Sequence, residues 1–461
     1  MTTATLAERA AEVPFGEAFR FWLKLGFISF GGPAGQIAIM HRELVEQKRW
    51  ISERRFLHAL NYCMMLPGPE AQQLATYIGW LMHRTRGGIV AGGLFVLPSL
   101  FILIALSWVY AAFGEVSWVA GLFYGIKPAV AAIVLQAVWR IGSRTLKHPR
   151  QVPLLWVIAV LSFVAIAVLH VPFPWVVLAA ALSGAWGGKY LPAQFAAGGA
   201  HASAPGPGQD RSEQGFLIGD ATPTPEHALF RRSRLALVIG AGALLWLLPM
   251  AALVAAQGWS GTLAQMGWFF TKAALLTFGG AYAVLPYVYQ GAVEQFQWLT
   301  GAQMIDGLAL GETTPGPLIM VVAFVGFVGG WTRQVLGPDM LFTGAALAAI
   351  VVTWFTFLPS FLFILAGGPL VEATHGNLKF TAPLTAITAA VVGVIASLAL
   401  FFLAHIAFTP AAGAAGPRLD LAALGFAAAA AVALLRYKLG VIPVIAGCAL
   451  AGLALRLAGW A

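Results

Sequence analysis

Two helix-breaking motifs dominate the first half of the sequence, Phe30-Gly31-Gly32-Pro33 and Leu66-Pro67-Gly68-Pro69. They return in the second half as Phe278-Gly279-Gly280 and Thr314-Pro315-Gly316-Pro317, shifted by 248 residues in both cases. Glycine and proline interrupt helices because one lacks a Cβ and the other lacks an N–H. Interrupted helices at corresponding positions of two halves are typical of binding sites in secondary transporters. The motifs therefore predict a duplicated chain with a site at the breaks.

The composition predicts that most of the chain lies in lipid. Of 461 residues, 59% are hydrophobic and only 10% are charged, whereas soluble domains carry about 25% charged residues. The net charge of +9 comes from basic residues that fall mostly between apolar runs. In a membrane protein this excess is first a signal of topology. Nucleic acid is therefore not expected as a partner.

Cysteine usage and the N-terminus indicate which classes of protein to set aside. Cys63 and Cys448 are too few and too far apart for a disulfide framework or a redox pair. We expect no metal and no cofactor, which disfavours a membrane-embedded oxidoreductase. Residues 1–14 lack the apolar core of a signal peptide and are predicted to be a short cytoplasmic lead-in.

The pattern of apolar runs predicts an all-α polytopic membrane protein built from two homologous halves. The N-terminal repeat is expected over residues 15–190 and the C-terminal repeat over residues 263–461. Between them, residues 191–234 are rich in Gly, Ala, Pro and Ser and are predicted to be a disordered cytoplasmic linker. Residues 235–262 are predicted to be a connecting transmembrane helix.

The motifs divide two membrane segments, residues 15–44 and 56–82, into pieces too short to span a bilayer. A piece of about 14 residues reaches roughly 21 Å, against about 30 Å of hydrocarbon. Basic loops follow both segments, so the positive-inside rule favours re-entrant hairpins, with steeply tilted broken helices as the alternative. The equivalent loop in the second half, residues 289–306, has no Lys or Arg and contains Asp306, which we expect at the surface. The contrast predicts an inverted-topology repeat.

The breaks place free helix N-termini inside the protein. A helix N-terminus carries about half a positive charge and binds anions through backbone N–H groups. Four such termini converging on one cavity suit a small, doubly charged tetrahedral anion. The alternative is that Gly and Pro only kink the helices or allow close packing. The predicted backbone site comprises Gly31, Gly32, Pro33, Pro67, Gly68, Pro69, Gly279, Gly280, Thr314, Pro315, Gly316 and Pro317.

Several side chains near the breaks are candidates for the same anion. Lys24 and Lys272 lie about two helical turns before the Gly-Gly pairs and are predicted to attract or gate the anion, with snorkelling to the interface as the alternative. Ser29 and Thr277 are candidate hydroxyl donors. Candidate amide donors are Gln36, Gln72 and Gln73, which packing between helices would explain equally well.

Two carboxylates are candidates for coupling transport to protons. Glu70 follows Pro69 directly, and Glu312 stands shortly before Pro315. Protonation of Glu70 would remove a charge that competes with the anion, although Glu70 is equally explained as a helix cap. Glu70 corresponds to Leu318 in the second half, so a symmetric role is not supported.

The motifs above, together with Leu97-Pro98-Ser99 and Leu358-Pro359-Ser360, resemble the chromate ion transporter family in its long two-domain form. The resemblance implies an antiporter of the bacterial inner membrane, with a cytoplasmic N-terminus, that exports chromate and confers chromate resistance. It also implies coupling to the proton-motive force and sulfate as a competitor. A transporter for sulfate or another oxyanion, a channel, and a homodimer all remain open.

Overall fold

The structure is a computed structural model that describes residues 13–30, 32–114, 116–195, 216–220, 222–278, 280–373, 381–409 and 418–458. The first half contains short helices around the breaks, followed by long apolar helices. They are α1 (Phe15–Ile28), α2 (Gly32–His41), α3 (Glu53–Met65), α4 (Glu70–Phe113), α5 (Ser117–Thr145), α6 (Pro153–Ala167), α7 (Phe173–Tyr190) and α8 (Pro192–Phe195), with a π-helix at Arg42–Gln47.

The second half repeats this order after one additional helix, α9 (Arg232–Gln257). Its helices are α10 (Thr262–Leu275), α11 (Ala281–Tyr289), α12 (Gly301–Thr313), α13 (Val321–Thr332), α14 (Leu341–Ala373), α15 (Thr381–Ala407), α16 (Leu421–Leu435) and α17 (Val441–Leu457), with a π-helix at Gln290–Gln295. Short 3₁₀ helices lie at Glu226–Ala228, Leu318–Met320 and Pro338–Met340. Two-residue strands β1 (Phe408–Thr409) and β2 (Arg418–Leu419) pair antiparallel between α15 and α16. The prediction of an almost entirely helical fold is confirmed.

The backbone repeats its irregular conformations as well as its helices. The two π-helices, 42–47 and 290–295, are separated by the same 248 residues as the motifs. Left-handed backbone follows each of them, at Arg49 (φ 54°) and Gln297 (φ 51°). Both non-glycine residues adopt a rare conformation, so the match at one offset is a structural repeat and confirms the duplication.

The first broken segment of each half is a re-entrant hairpin. Lys48, which follows the π-helix, lies 3.3 Å from the carboxylate of Glu17 at the start of α1. The chain therefore returns to the level at which it entered. Phe21 packs edge-on against Trp50 with ring centroids 5.0 Å apart, and the equivalent rings of Phe269 and Trp298 are 5.7 Å apart. The hairpin alternative is supported in both halves.

A sharp break inside α4 separates the second hairpin from a full crossing helix. His83 (φ −133°, ψ 32°) and Arg84 (φ 57°, ψ −158°) leave the helical conformation. Residues 70–82 return alongside α3, where the rings of Tyr62 and Tyr77 are 5.8 Å apart. Residues 85–113 then form one long apolar helix.

The long helices α4 and α14 occupy equivalent positions and run antiparallel. Towards the start of the long part of α4, Gly88 faces Leu365 and Gly92 faces Phe361. At its end, Trp108 packs against Phe342 with ring centroids 6.0 Å apart. Residue numbers rise along α4 while those of its neighbours fall along α14. The two halves therefore have opposite orientation, as the loop charges predict.

The halves also exchange their last two helices. Helices α6 and α7 of the first half pack against α15 of the second, and α16 and α17 pack against α5. Among the described residues, five helices are long and apolar enough to cross a membrane: α4, α5, α9, α14 preceded by its 3₁₀ turn, and α15. The window of α9 is only 11% buried, which places this connecting helix at the periphery.

Part of the expected linker is ordered, contrary to the prediction from its composition. Residues 196–215 and 221 lie outside the described residues, but Ile218 forms a parallel bridge with Ile51. Asp220 accepts a hydrogen bond from Ser52 at the start of α3, and a ring nitrogen of His227 lies 2.9 Å from the carbonyl oxygen of Trp80. Residues 216–220 and 222–228, here called the strap, therefore contact both ends of the second hairpin. Order arises from these tertiary contacts, which composition does not encode.

Opposite orientation predicts opposite accessibility for Gln47 and Gln295, which end the two π-helices and are both exposed. In a background with Cys63 and Cys448 replaced by Ser, we expect Gln47→Cys and Gln295→Cys to react with a membrane-impermeant thiol reagent from opposite sides of the membrane. Labelling from one side at both positions would contradict the inverted repeat.

Candidate functional site

The backbone breaks of the two halves meet in two reciprocal pairs. The N–H of Gly68 donates to the carbonyl of Thr277, and the N–H of Gly316 donates to the carbonyl of Ser29, both at 2.8 Å. Gly68 is equivalent to Gly316, and Ser29 to Thr277, so one two-fold relation generates both bonds. We call these four residues the crossing. It joins the first break of each half to the second break of the other.

The crossing requires glycine at both Pro-Gly-Pro turns. Gly68 and Gly316 have φ of 127° and 103°, where residues with a Cβ are strained. A Cβ on Gly68 would lie 2.3 Å from Ser360 Oγ, and one on Gly316 would lie 2.8 Å from Ser99 Cβ. Each turn therefore packs directly against the long helix of the opposite half.

Glycine is required at the first breaks for a different reason. Gly32 and Gly280 have φ of 68° and 100°, yet a Cβ at either position would meet nothing within 4 Å. Backbone conformation is the constraint there. Pro33 lies in the first turn of α2, and Pro69 and Pro317 each directly precede a helix. Gly31 and Gly279, also predicted as site residues, lie outside the described residues.

The candidate hydroxyl donors are already engaged within their own helices. Ser29 Oγ donates to the Leu25 carbonyl at 2.6 Å, and Thr277 Oγ1 donates to the Ala273 carbonyl at 2.7 Å. Thr314, in the turn that contains Pro315, donates to the Gly311 carbonyl in the same way. In this conformation these hydroxyls can accept a further hydrogen bond, but their protons are not free to bind an anion.

The candidate amides lie beside the Pro-Gly-Pro turns. Gln36 donates to the carbonyl of Gly316, which ties α2 to the second half. Gln72 donates to Thr76 Oγ1 at 3.0 Å. Gln73 donates to the carbonyl of Pro67 at 2.8 Å. The Oε1 atoms of Gln72 and Gln73 are buried and have no partner among the described residues, so each can accept a hydrogen bond.

Ser99 and Ser360 are further candidate site residues, which were not predicted from the sequence. They are 0% and 1% exposed, and neither hydroxyl has a hydrogen-bond partner among the described residues. Both face a Pro-Gly-Pro turn of the other half. Buried hydroxyls without partners are costly, so two at equivalent positions indicate a polar ligand. Their place in the repeated Leu-Pro-Ser motif was the available signal.

The structure places Lys24 and Lys272 away from the crossing. The side chain of Lys24 is 61% exposed and lies 3.8 Å from Glu43. Lys272 lies over the ring of Trp268, 5.7 Å from its centroid. Neither lysine contacts a crossing residue within the described chain. Lys24 is the tenth residue of α1, and Lys272 lies in the last turn of α10.

The two candidate carboxylates have different surroundings. Glu312 is 7% exposed and accepts a hydrogen bond from Tyr282, and the Arg140 guanidinium lies 5.9 Å from the Tyr282 ring centroid. Glu70 begins α4 immediately after the Pro-Gly-Pro turn and makes no hydrogen bond or ion pair with the described residues. The structure does not bring the two carboxylates into contact.

Asp306 is not at the surface, and that expectation is wrong. Its side chain is 4% exposed and lies 3.4 Å from Lys127 Nζ. Both residues line a cavity of about 1300 Å³ between the end of α4 and the helices α5, α12 and α17. The loop composition suggested exposure, but α12 turns this side chain inward towards α5. Lys127 is a charged residue within the apolar helix α5, and its partner could not be found from sequence.

A family model described as chromate transporter matches residues 16–185 and 264–453. The chain is 34% identical to a chromate transport protein of Pseudomonas aeruginosa, over 86% of this chain and 82% of that protein. It is 29% identical to a chromate transport protein of Cupriavidus metallidurans, over 86% and 84% of the two chains. A probable chromate transport protein of Synechococcus elongatus is 30% identical over 82% and 81%. No solved structure matches the chain.

Gly316→Ala should destabilise the protein by about 2 kcal/mol or more, because left-handed backbone and a close contact both oppose a Cβ. Gly93, in α4, is the matched control, since a Cβ there meets nothing within 4 Å. Gly93→Ala should be neutral or stabilise by up to about 1 kcal/mol. Thermal unfolding of the purified protein in detergent measures both. Equal midpoints for the two variants would contradict the packing of the crossing.

Proposed function

The chain belongs to the chromate transporter family, and we propose that it exports chromate from the cytoplasm across the bacterial inner membrane and so confers chromate resistance. Its relatives in Pseudomonas aeruginosa and Cupriavidus metallidurans are chromate transport proteins. The basic loops after the two hairpins of the first half support a cytoplasmic location for that face and for the N-terminus.

The crossing is the observation that carries this proposal. Its two reciprocal bonds join the halves through only two N–H groups and two carbonyls. An oxyanion that accepts hydrogen bonds from Gly68 and Gly316 replaces the carbonyls of Thr277 and Ser29, and the contact between halves opens. Substrate binding and movement of the halves are thereby one event.

Donors for the anion are concentrated around the same turns. Ser99 and Ser360 supply two hydroxyls without other partners, and helix N-termini begin at Glu70 and Leu318. Those N-termini favour negative charge. The arrangement presents donors from both halves to a tetrahedral anion, which is the ligand that a pseudo-two-fold site of this kind fits.

Lys24 and Lys272 attract chromate towards the breaks without contacting the crossing. Each lies in the later part of the first helix of its half, and Lys24 is largely exposed. A cation along a pathway raises the local concentration of anion. Uptake that is unchanged in the Lys24→Ala, Lys272→Ala double variant would contradict this role.

Chromate uptake into inverted vesicles tests the proposed function. We expect a proton gradient to drive uptake and sulfate to compete, since backbone N–H groups distinguish tetrahedral anions weakly. The Ser99→Ala, Ser360→Ala double variant should lose at least about tenfold in apparent affinity, because donors to a charged group are removed. Ser107→Ala removes another buried hydroxyl of α4 that has no partner and should transport normally.

The outcomes separate the alternatives. Faster uptake of sulfate than of chromate at equal concentration would identify a sulfate transporter. Flux that neither saturates nor responds to the proton gradient would identify a channel. Equal loss of affinity in the Ser107→Ala control and the double variant would contradict the proposal that the anion binds at the crossing.

Proton coupling is assigned to Glu312 or Glu70, which lie beside the Pro-Gly-Pro turns. In the variant that removes the coupling group, Glu312→Gln or Glu70→Gln, chromate exchange at zero gradient should continue while gradient-driven accumulation falls to the level without a gradient. Glu294→Gln, at an exposed position of the second π-helix, is the control. Gradient-driven accumulation in both variants would contradict the assignment.

A further inference from the structure

The large cavity near the end of α4 is lined by charged groups that the crossing does not use. It has a volume of about 1300 Å³ and lies between the ends of several helices from both halves. Its charged or titratable side chains include Lys127, His405, Asp420, Arg456 and Asp306. Because α4 runs from the hairpin face to this end, the cavity opens at the opposite end of the bundle from the strap.

Asp306 and Lys127 form the one ion pair that lines this cavity within the described residues. Lys127 Nζ lies 3.4 Å from Asp306 Oδ2, and the Tyr110 hydroxyl donates to the same oxygen at 2.8 Å. The second oxygen, Oδ1, is buried and has no partner among the residues that the structure describes. The Lys127 side chain is 32% exposed. Asp306 is thus enclosed, whereas Lys127 is open to the cavity.

The other charges of the cavity are arranged differently. Asp420 accepts from the Tyr124 hydroxyl at 2.9 Å and caps α16 through the Ala423 N–H at 2.8 Å, so it has a structural role. Arg456, on α17, makes no ion pair with the described residues. His405, on α15, packs against the ring of Phe401. Lys127 and Arg456 are therefore the cations that line the cavity.

We propose that this cavity is a second binding site for the transported oxyanion, in which the anion displaces Asp306 as the partner of Lys127. The hydrogen bond from Lys127 Nζ moves from Asp306 to an oxygen of the dianion. A proton from the cavity then binds the Oδ1 atom of Asp306, so no unpaired carboxylate remains buried. Tyr110 keeps its bond to Oδ2. The site takes up one proton when the anion binds and returns it to the cavity when the anion leaves, so this proton is separate from the one that drives transport.

The electrostatics of the pair favour exchange over a purely structural ion pair. Removing the partner of a buried charge is strongly unfavourable, so Lys127 cannot leave an ionised Asp306 without compensation. The proton provides that compensation at an oxygen that has no other bond. From the helices packed around α12, the titratable and charged groups that face Asp306 or share its cavity are Tyr110, Tyr124, Lys127, His405, Asp420 and Arg456.

The inference rests on the proposed function, since it assumes an oxyanion as substrate. Proton uptake on addition of sodium chromate, measured with a pH indicator on the purified protein in lipid nanodiscs, tests it. The buffer is weakly alkaline so that chromate is a dianion. The unchanged protein should take up about one proton per chromate bound at this site. Lys127→Gln should abolish that uptake and weaken this binding by about tenfold.

Asp306→Asn should bind chromate without proton uptake, because Asn retains an acceptor for Tyr110 and needs no proton. The Lys127→Gln, Asp306→Asn double variant leaves neither charge unpaired, so it remains informative if a single variant fails to fold; it should show no proton uptake. Lys438→Gln, at an exposed position, should behave as the unchanged protein.

All variants are made in a Glu70→Gln, Glu312→Gln background, which removes the coupling candidates beside the crossing. Proton uptake that persists there in Asp306→Asn or in the double variant would overturn the inference. So would chromate affinity and proton uptake at the unchanged level in Lys127→Gln. Chromate uptake into vesicles by the unchanged protein distinguishes a failure of this inference from a failure of the proposed function. If the protein transports chromate but these variants behave normally, the inference fails alone. If it transports none, the proposed function fails.

Discussion

The structure depends on the need to satisfy backbone polar groups where membrane helices stop. In lipid an unpaired N–H or carbonyl is expensive, so irregular backbone is found where protein or water covers it. Here each half supplies what the other lacks: Gly68 bonds to Thr277, and Gly316 bonds to Ser29. Because a single pair of bonds serves both halves, neither half completes its breaks alone. The exchange of α6 and α7 for α16 and α17 extends the same dependence to the outer helices.

The backbone obeys the two-fold relation more closely than the side chains do. The glycines of the breaks, the π-helices and the left-handed backbone at Arg49 recur at one offset, whereas Glu70 corresponds to Leu318 and Asp306 corresponds to His58. Glu312 similarly corresponds to Met64. A symmetric scaffold can present the same hydrogen-bond donors to an anion from either side. Asymmetric charges along it distinguish the two faces of the molecule.

Motif spacing and loop charge were enough to predict the duplication, the hairpins and the opposed orientation, because these follow from local backbone chemistry and topology. They also indicated the Pro-Gly-Pro turns. Motif spacing and loop charge could not predict contacts between segments that are distant in sequence. Asp306 was expected at the surface because its loop is polar, yet α12 points it at Lys127. Ser99 and Ser360 become candidate site residues only because they face the Pro-Gly-Pro turns. The strap is ordered by Ile51, Ser52 and Trp80, none of which lies near it in sequence.

The central claim is that the two inverted halves hold the anion where their broken helices cross. A cryo-electron microscopy map of the protein in lipid nanodiscs, recorded with and without chromate, tests it most directly. The account predicts tetrahedral density between the Pro-Gly-Pro turns, within hydrogen-bond distance of Gly68, Gly316, Ser99 and Ser360. Without chromate, the bonds from the two glycines to Thr277 and Ser29 should be present. Bound chromate elsewhere, with both reciprocal bonds intact and no density between the turns, would contradict the claim.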